Sequence, residues 1–382
     1  MNQPPPPPLP ASWSAAATLP PAAGPGPGAP APGRGPVPQL YWGFGRGAVQ
    51  AVSVWTERVP GRGEDAEPFL CHHWDSTQGL LGVFDGSGGA GAAPAWQTPD
   101  GTARTGAWVG ARAARLATEC WFHDVVRDRQ DPDQDSLHAY VKYFLEQAPK
   151  RQSKISGTMR RQLPTTLAAL HYQVGKDETE ADVRALWTGD SRAYALLPRS
   201  GLHVLTRDHT RESDALELLR SDPPMTNLVC ADREFEVAAR TLTLPLPCVL
   251  VVATDGFFGY VHTPGEFEHL LLRTLEQADS ALSWADLLRR EVQAYTADDA
   301  SLALLALGHR DFGELRADFA PRRGQLTDQL TLGRPGALDG APGQGADPRE
   351  AAAGIKAWQE QTWRAYRPDY ERHLPPAPEE SA

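Results

Sequence analysis

Two kinds of spacing between apolar side chains run along the chain, and they predict different elements. Short, mostly apolar runs predict buried strands, at 48–55, 80–84, 166–174, 183–188, 192–197, 248–253 and 301–307. Apolar residues that recur every three or four positions predict helices, at 103–126, 134–147, 265–275 and 281–296. Helices that lie between groups of strands favour sheets covered by layers of helix.

The N-terminal part of the chain and a later segment differ in composition from the rest. Residues 1–38 are rich in Pro, Ala and Gly and carry Arg34 as their one charged side chain. They have too little apolar surface to offset the entropy of ordering. We therefore expect a disordered tail there and a globular domain over 39–333. Residues 334–348, again rich in Gly, Pro and Ala, are expected to form a linker.

A further apolar pattern follows the predicted linker. Over 349–382 the sequence predicts an amphipathic helix and a short tail, with the helix ending at Pro368. The side chains predicted to share its apolar face are Ile355, Trp358, Trp363 and Tyr366. Such a face packs on its own domain or binds a partner, and the pattern leaves both open.

The charge balance restricts the possible partners. The chain has 382 residues, with 37 Lys and Arg against 48 Asp and Glu, and a formal net charge of −11. Such a protein is poorly suited to nucleic acid, because the phosphates of DNA and RNA need a basic surface. A phosphorylated protein is not excluded as a substrate, since the local field of the site decides that interaction.

Neither a membrane span nor a disulfide framework is indicated. No apolar stretch approaches the ~20 residues that cross a bilayer, and the N-terminus lacks the features of a signal peptide. The cysteines are Cys71, Cys120, Cys230 and Cys248. Their spacing fits neither a zinc site nor a disulfide scaffold. We expect a soluble, cytoplasmic protein with reduced cysteines and no membrane partner.

Acidic residues recur where the predicted strands end. The positions are Glu64, Asp65, Asp85, Asp190, Asp255, Asp298 and Asp299. Carboxylates that point at one place raise one another's pKa, and a divalent cation offsets that repulsion. Oxygen ligands suit hard cations such as Mg²⁺ or Mn²⁺. Asp-Gly is also an ordinary turn pair, and the pattern alone leaves open whether these residues converge.

Six segments, taken in order, resemble the signature segments of bacterial-type members of the type 2C (PPM) family of metal-dependent serine/threonine protein phosphatases. They are Gly63-Glu64-Asp65-Ala66, Val83-Phe84-Asp85-Gly86-Ser87-Gly88-Gly89, Leu163-Pro164-Thr165-Thr166-Leu167, Thr188-Gly189-Asp190-Ser191-Arg192-Ala193-Tyr194 with Leu205-Thr206-Arg207-Asp208-His209-Thr210, Val252-Ala253-Thr254-Asp255-Gly256-Phe257-Phe258, and Asp298-Asp299-Ala300-Ser301. Each segment is weak alone, and the ordered set is specific. The resemblance covers roughly residues 46–310.

The resemblance implies a fold and an activity. The fold would be an α+β, four-layer α-β-β-α sandwich of two antiparallel sheets flanked by helical pairs, with a metal centre at the sheet edge. The activity would be hydrolysis of phosphoserine and phosphothreonine in proteins by a metal-activated water, with Mn²⁺ or Mg²⁺ in two core sites and a possible third, weaker one. The partners would be phosphorylated proteins, as targets of a serine/threonine kinase.

The same resemblance assigns metal-binding roles. Asp85 would bridge two metal ions. Glu64 and the Gly86 carbonyl would complete the shell of one ion, and Asp255 and Asp298 that of the other. A cation pair held in this way would lower the pKa of a shared water and stabilise charge on the phosphoryl group.

The resemblance implies further roles, in part at positions where this chain departs from the family's pattern. Asp65 would hold a metal-bound water, and Asp190 would help to bind the third metal. The family often has a phosphate-binding arginine four residues before its first acidic residue, where this chain has Pro60. Arg62 and Arg58 are the nearest candidates for that role, and Arg62 is preferred. An arginine fork suits a phosphate.

Two features bear on whether the chain is an active enzyme. Many eukaryotic members have His where this chain has Ser87, whereas bacterial members often lack that His. The carboxylates expected to bind metal are all present, which favours an enzyme. The alternative is a catalytically weak or inactive phosphatase-like sensor or binding module, and a phosphodiesterase or nuclease is a more distant one. Segment 211–240 lies where the family carries a flap, and would help to select substrates.

Overall fold

The strands of the chain pair into two large antiparallel sheets, as seen in a computed structural model. The structure describes residues 41–149, 161–221, 223–331, 334 and 348–376. The predicted disordered tail lies outside the described residues, and so does most of the predicted linker. Within the described part, no helix is both long enough and apolar enough to cross a membrane.

The first sheet has six strands. In spatial order they are β1 (Tyr41–Arg46), β2 (Val49–Thr56), β13 (Ala300–Leu307), β12 (Cys248–Ala253), β9 (Arg192–Leu197) and β10 (Gly201–Val204). The second sheet has five strands. In spatial order they are β11 (Ala238–Pro245), β8 (Glu180–Thr188), β7 (Leu167–Val174), β4 (Gln78–Val83) and β3 (Phe69–His73). A small hairpin pairs β5 (Pro94–Gln97) with β6 (Ala103–Thr105).

Helices of two kinds accompany the sheets. The longer ones are α2 (Gly106–Asp128), α3 (Gln134–Gln147), α6 (Pro264–Gln277), α7 (Ala281–Tyr295), α8 (Phe312–Thr331) and α9 (Pro348–Tyr370). The single-turn ones are α1 (Gly88–Gly91), α4 (Ala215–Leu218) and α5 (Asp255–Phe258). Thr105 caps α2 by accepting a hydrogen bond from the N–H of Trp108, which satisfies one of the donors that a helix start leaves open.

Three apolar cores separate four layers. One core, with Leu170 and Leu250, lies between the two sheets. Another, with Trp121 and Leu137, joins the second sheet to α2 and α3. The third, with Trp284, joins the first sheet to α6, α7, α8 and α9. The predicted α-β-β-α sandwich of antiparallel sheets is therefore confirmed.

Strand burial explains why some strands are easy to read from the sequence. All residues of β12 and of β13 are buried, because the sheet that contains these central strands has protein on both faces. Such strands carry continuous apolar runs. In β11, an edge strand, the burial alternates for most of its length, as in a strand with one solvated face.

The C-terminal helix α9 packs on the domain, mainly against α6 and β10. Trp358, Trp363 and Tyr366 are buried, as their spacing suggests, but Ile355 is 43% exposed. The helix does not end before Pro368, which lies within its last turn. The large buried side chains of the helix thus begin at Trp358, and Ile355 was wrongly placed on the apolar face.

Replacing Trp363 with Ala should destabilise the whole domain. Trp363 is 5% exposed and belongs to the core between the first sheet and its helices. Loss of so large a buried side chain is expected to lower the free energy of unfolding by about 3–5 kcal/mol. Urea denaturation followed by circular dichroism measures the change.

Ile355→Ala in the same helix is the matched control, expected to change the free energy of unfolding by less than about 0.5 kcal/mol. Equal losses in the two variants would show that α9 does not pack on the domain in solution.

Candidate metal centre

The strand registers bring the predicted acidic segments to one end of the sandwich. In the first sheet, the last residue of β2, Thr56, pairs with Ala300 at the start of β13, and the last residue of β12, Ala253, pairs with Leu302. Asp298 and Asp299 precede β13, and Asp255 follows β12, so these carboxylates leave the sheet at the same edge.

The second sheet presents its acidic segments at the same end. Leu167, the first residue of β7, pairs with Thr188, the last residue of β8. Asp190 follows β8, and Asp85 follows β4. The side chains of Thr166 and Ser191 are hydrogen-bonded to each other at 2.6 Å, so the segment before β7 is tied to the turn that carries Asp190.

Threonine side chains and backbone fix the position of Asp85. Its N–H donates to Thr166 Oγ1 at 3.1 Å, and its carbonyl accepts from Thr165 Oγ1 at 2.7 Å and from the N–H of Thr166 at 2.8 Å. With the backbone held on both sides, the Asp85 carboxylate is directed by the fold. The paired threonines of the sequence segment 163–167 therefore have a structural role beside the site.

The glycines that follow two of the acidic residues allow close backbone approach. A Cβ on Gly86 would lie 2.7 Å from the Glu64 carbonyl oxygen, and one on Gly256 would lie 2.0 Å from the Asp299 carbonyl oxygen. Any larger residue would push these segments apart. The Asp-Gly pairs are thus more than ordinary turns, because the glycine lets two acidic segments pack together.

Asp65 lies beneath the acidic surface, 2% exposed. Its Oδ2 accepts hydrogen bonds from Thr254 Oγ1 at 3.0 Å and from Ser301 Oγ at 2.9 Å. Burial raises the pKa of Asp65 well above its usual value, the charges of Asp299 and Asp255 add to the rise, and the two hydroxyl groups oppose it. Asp65 therefore links the loop after β2 to the ends of β12 and β13.

Asp299 has a structural role that the sequence did not reveal. Its two carboxylate oxygens accept from the N–H groups of Arg58, at 2.8 Å, and Glu64, at 2.6 Å. These bonds attach the loop after β2 to the start of β13. The doublet Asp298-Asp299 was the only available signal, and it did not show which of the two carboxylates is already engaged by backbone.

Glu64 is held from the side of α2. Thr105 Oγ1 donates to Glu64 Oε1, and Arg112 donates from a terminal nitrogen to the Glu64 carbonyl at 3.2 Å. Arg112 also stacks on Trp108 at 4.0 Å. Arg104 supports the same loop through the Gly61 carbonyl. Thr105 and Arg112 lie far from the acidic motif in sequence, so pattern reading missed them.

Mutual repulsion is visible in the pKa values of the carboxylates. Burial raises the pKa of Asp85 well above its ordinary value, and the charges of Asp65, Asp255, Asp190 and Asp298 raise it further. Asp65, Asp255, Asp190 and Asp298 therefore each lie within electrostatic reach of Asp85.

Other members of the set behave in the same way. Burial, with the charges of Asp255 and Asp208, raises the pKa of Asp190 to about 8. Burial also raises the pKa values of Glu64 and Asp298. The negative charges of these carboxylates repel one another, and a bound cation would offset that repulsion.

The donor chemistry of the acidic residues fits a hard divalent cation. Carboxylate and carbonyl oxygens are the ligands that Mg²⁺ and Mn²⁺ take, and the raised pKa values show charge in need of compensation. Yet among the described residues no three His, Cys, Asp or Glu side chains converge closely enough to hold a metal ion. The fold brings the carboxylates to one edge without closing them into a coordination shell.

The two arginines considered for phosphate binding differ in surroundings. Both Arg58 and Arg62 are exposed. The charge of Arg58 lowers the pKa of Asp298 against the dominant effect of burial, so Arg58 lies within electrostatic reach of the acidic edge. For Arg62 the described contact is a backbone hydrogen bond to the Val59 carbonyl. The structure thus gives Arg58 a tie to the site that it does not give Arg62.

A cleft of about 360 Å³ opens beside the acidic residues. Asp190, Asp255 and Asp298 are among the residues that line it, and Tyr260 lies next to Asp298, with its hydroxyl 3.4 Å from Oδ2. The cleft continues along the segment after β10, towards Arg220.

Comparison with known proteins gives similarity at the level of structure. No protein-family model and no curated protein matches the chain. A bacterial serine phosphatase structure is 16% identical, with a TM-score of 0.48, and the match covers 69% of this chain and 98% of that one. The Mycobacterium tuberculosis serine/threonine phosphatase PstP/Ppp is 17% identical, with a TM-score of 0.46 and coverages of 68% and 99%.

Staphylococcus aureus serine/threonine phosphatase Stp1 is 15% identical, with a TM-score of 0.46 and coverages of 69% and 96%. At such identities and TM-scores the similarity carries no weight for the activity of this chain, which depends on its own site.

The metal-free protein should lose stability as the pH rises. The pKa of Asp190 is about 8 in the folded chain against an ordinary 3.8, so between these values the folded state keeps a proton that the unfolded state has released. The free energy of unfolding therefore falls through this window, by at most about 1.4 kcal/mol per pH unit from this group. Asp190→Asn should flatten the slope, measured by urea unfolding in EDTA from pH 5 to 8.

The exposed Asp177→Asn is the control, and it should keep the wild-type slope. An Asp190→Asn protein with the wild-type pH dependence would contradict the electrostatic interpretation of the site.

Proposed function

We propose that the protein hydrolyses phosphoserine and phosphothreonine in other proteins with the help of bound divalent cations. The observation that carries the proposal is the set of carboxylates, from the ends of strands in both sheets, that raise one another's pKa values beside an open cleft. A phosphate group entering such a cleft meets repulsion unless cations are bound there. The site is therefore built to hold cations first and an anionic substrate second.

Glu64, Asp85, the Gly86 carbonyl, Asp255 and Asp298 would hold two Mn²⁺ or Mg²⁺ ions, and Asp190 with Asp255 a third. When bound, such ions lower the pKa of water and stabilise negative charge on a phosphoryl group. Asp65 would orient the attacking water through Oδ1, since Thr254 and Ser301 fix its Oδ2.

An arginine at the rim would receive the phosphate from the solvent side. Arg58, whose charge acts on Asp298, has the better position, and Arg62 remains the alternative proposed from the sequence. The substrates would be phosphorylated proteins that a serine/threonine kinase has modified. Comparing Arg58→Ala with Arg62→Ala in KM for a phosphopeptide would distinguish the two.

A specific observation favours a second function, that of a phosphatase-like binding module with little or no turnover. No three side chains of the described residues converge on a possible metal position. If the carboxylates do not close around cations in solution, the domain would act by binding a partner and not by hydrolysing phosphate esters.

Purified protein should release phosphate from a phosphothreonine peptide with Mn²⁺ or Mg²⁺, and EDTA should abolish the release. Asp85→Asn should lower kcat by at least about a hundredfold, because it removes one of the carboxylates that would hold the cations. Phosphate release is measured by a coupled colorimetric assay.

Asp279→Asn, on the surface before α7, should retain wild-type turnover. Absence of turnover with either metal, in protein shown to be folded, would favour the binding module.

Cation binding should also be detectable without activity. Ions that bind only the folded state stabilise it by about 2.7 kcal/mol at a concentration a hundred times Kd, so Mn²⁺ should raise the melting temperature. Asp255→Asn should lose most of this rise, while Asp279→Asn keeps it. The measurement is differential scanning calorimetry at pH 7.5, and equal metal-induced shifts in the two variants would place the cations elsewhere.

A further inference from the structure

The cleft beside the acidic residues has a second wall of different chemistry. Besides Asp190 and Asp298, the lining includes Leu218, Leu219 and Arg220, from the end of α4 and the residues after it; these three residues are called the wall. A ligand whose phosphate reached the carboxylate side would lay its neighbouring residues along this wall. The wall therefore bears on which phosphoproteins are accepted.

Among the described residues, Arg192 and Arg220 are the arginines that line the cleft, and their surroundings differ. Arg192 is buried and makes a two-pronged ion pair with Asp208, at 2.9 and 2.7 Å. Its guanidinium group is therefore already paired inside the protein. The side chain of Arg220 is 23% exposed, and it contacts Glu217 at 2.6 Å and Glu360 at 3.6 Å. Both glutamates are about half exposed, and exposed pairs of this kind contribute little free energy, so a ligand carboxylate can exchange with them.

The C-terminal helix α9 determines where Arg220 lies. Gln359 Oε1 accepts a hydrogen bond from a terminal nitrogen of Arg220 at 3.2 Å, beside the contact from Glu360. Both acceptors belong to α9, which is anchored in the core through its buried aromatic side chains. The guanidinium group is therefore oriented by a helix some 140 positions away in sequence.

Asp214 joins the same helix to the start of α4. Its Oδ1 accepts from the N–H groups of Leu216 and Glu217 and so caps α4. Its Oδ2 accepts from the indole nitrogen of Trp363 at 3.2 Å and from Arg367 at 2.6 Å. A carboxylate shared between a helix cap and two donors of α9 fixes the wall relative to the core.

We propose that Arg220 is a specificity-determining residue that pairs with an acidic side chain next to the phosphorylated residue of the substrate, and that α9 presets its position. The proposal rests on the proposed function for its substrate class. Arg220 acts by direct contact with the substrate, whereas Gln359 and Asp214 are positioning residues. A short wall without its own core needs such support, because a single helical turn is not stable alone.

The test is a binding comparison between two non-hydrolysable phosphonate peptides in Mn²⁺ buffer. One carries glutamates on both sides of the phosphothreonine analogue, and the other carries glutamines. Wild-type protein should bind the glutamate peptide about tenfold more tightly, the size of one charge-assisted hydrogen bond. Arg220→Met should reduce the ratio to about one, and Arg220→Lys should keep part of it because the charge remains.

Arg273→Met is the matched control, because Arg273 forms an ion pair with Glu291 outside the cleft lining; it should keep the full ratio. Gln359→Met should reduce the ratio by about two- to threefold while the melting temperature stays near that of wild type. Removing α9 altogether is a poorer test, since it exposes the core that Trp363 and Tyr366 fill.

The outcomes separate this inference from the proposed function. A wild-type ratio near one, or a ratio that survives Arg220→Met, would overturn the role of Arg220. An unchanged ratio in Gln359→Met would overturn the role of α9. Loss of phosphate release from ordinary phosphopeptides, with the glutamate preference intact, would contradict catalysis and leave the recognition by Arg220 supported.

Discussion

Repulsion between carboxylates at one end of the two sheets is the constraint on which the rest of the site depends. Asp85 comes from the second sheet and Asp255 and Asp298 from the first, and the charges of Asp255 and Asp298 raise the pKa of Asp85. Left alone, such a set would drive the sheet ends apart. Hydroxyl groups keep the ends together: Thr254 and Ser301 bind Asp65, and Thr166 binds Ser191.

The C-terminal helix is part of the domain, and it links the core to the cleft. Its aromatic side chains complete the core under the first sheet, and its polar side chains hold Asp214 and Arg220. The packing of the core and the orientation of Arg220 therefore depend on one element. A helix that serves both purposes can transmit a disturbance of the core to the wall of the cleft.

The sequence indicated many of the acidic positions of the candidate site, because each of them lies next to a predicted strand and that arrangement is visible in neighbouring residues. Asp85 and Asp255 each follow a strand and precede a glycine, and the structure uses that glycine for close packing. What the sequence missed are partners that come from elsewhere in the chain. Thr105 reaches Glu64 from the start of α2, and the electrostatic tie of Arg58 to Asp298 needs the folded loop to be seen.

By itself, the sequence determined the interior of the fold. The predicted strands correspond to the interior strands of both sheets, and 134–147, 192–197 and 248–253 coincide with α3, β9 and β12. Buried elements need continuous or periodic apolar residues, which leave a local signal. Only the tertiary structure decided the edge strands β1, β3, β10 and β11 of the two large sheets, the exposure of Ile355, and which acidic residues lie at the same sheet edge. An edge strand pairs on one side, and a contact between distant carboxylates depends on strand register, so neither leaves a pattern that neighbouring residues can show.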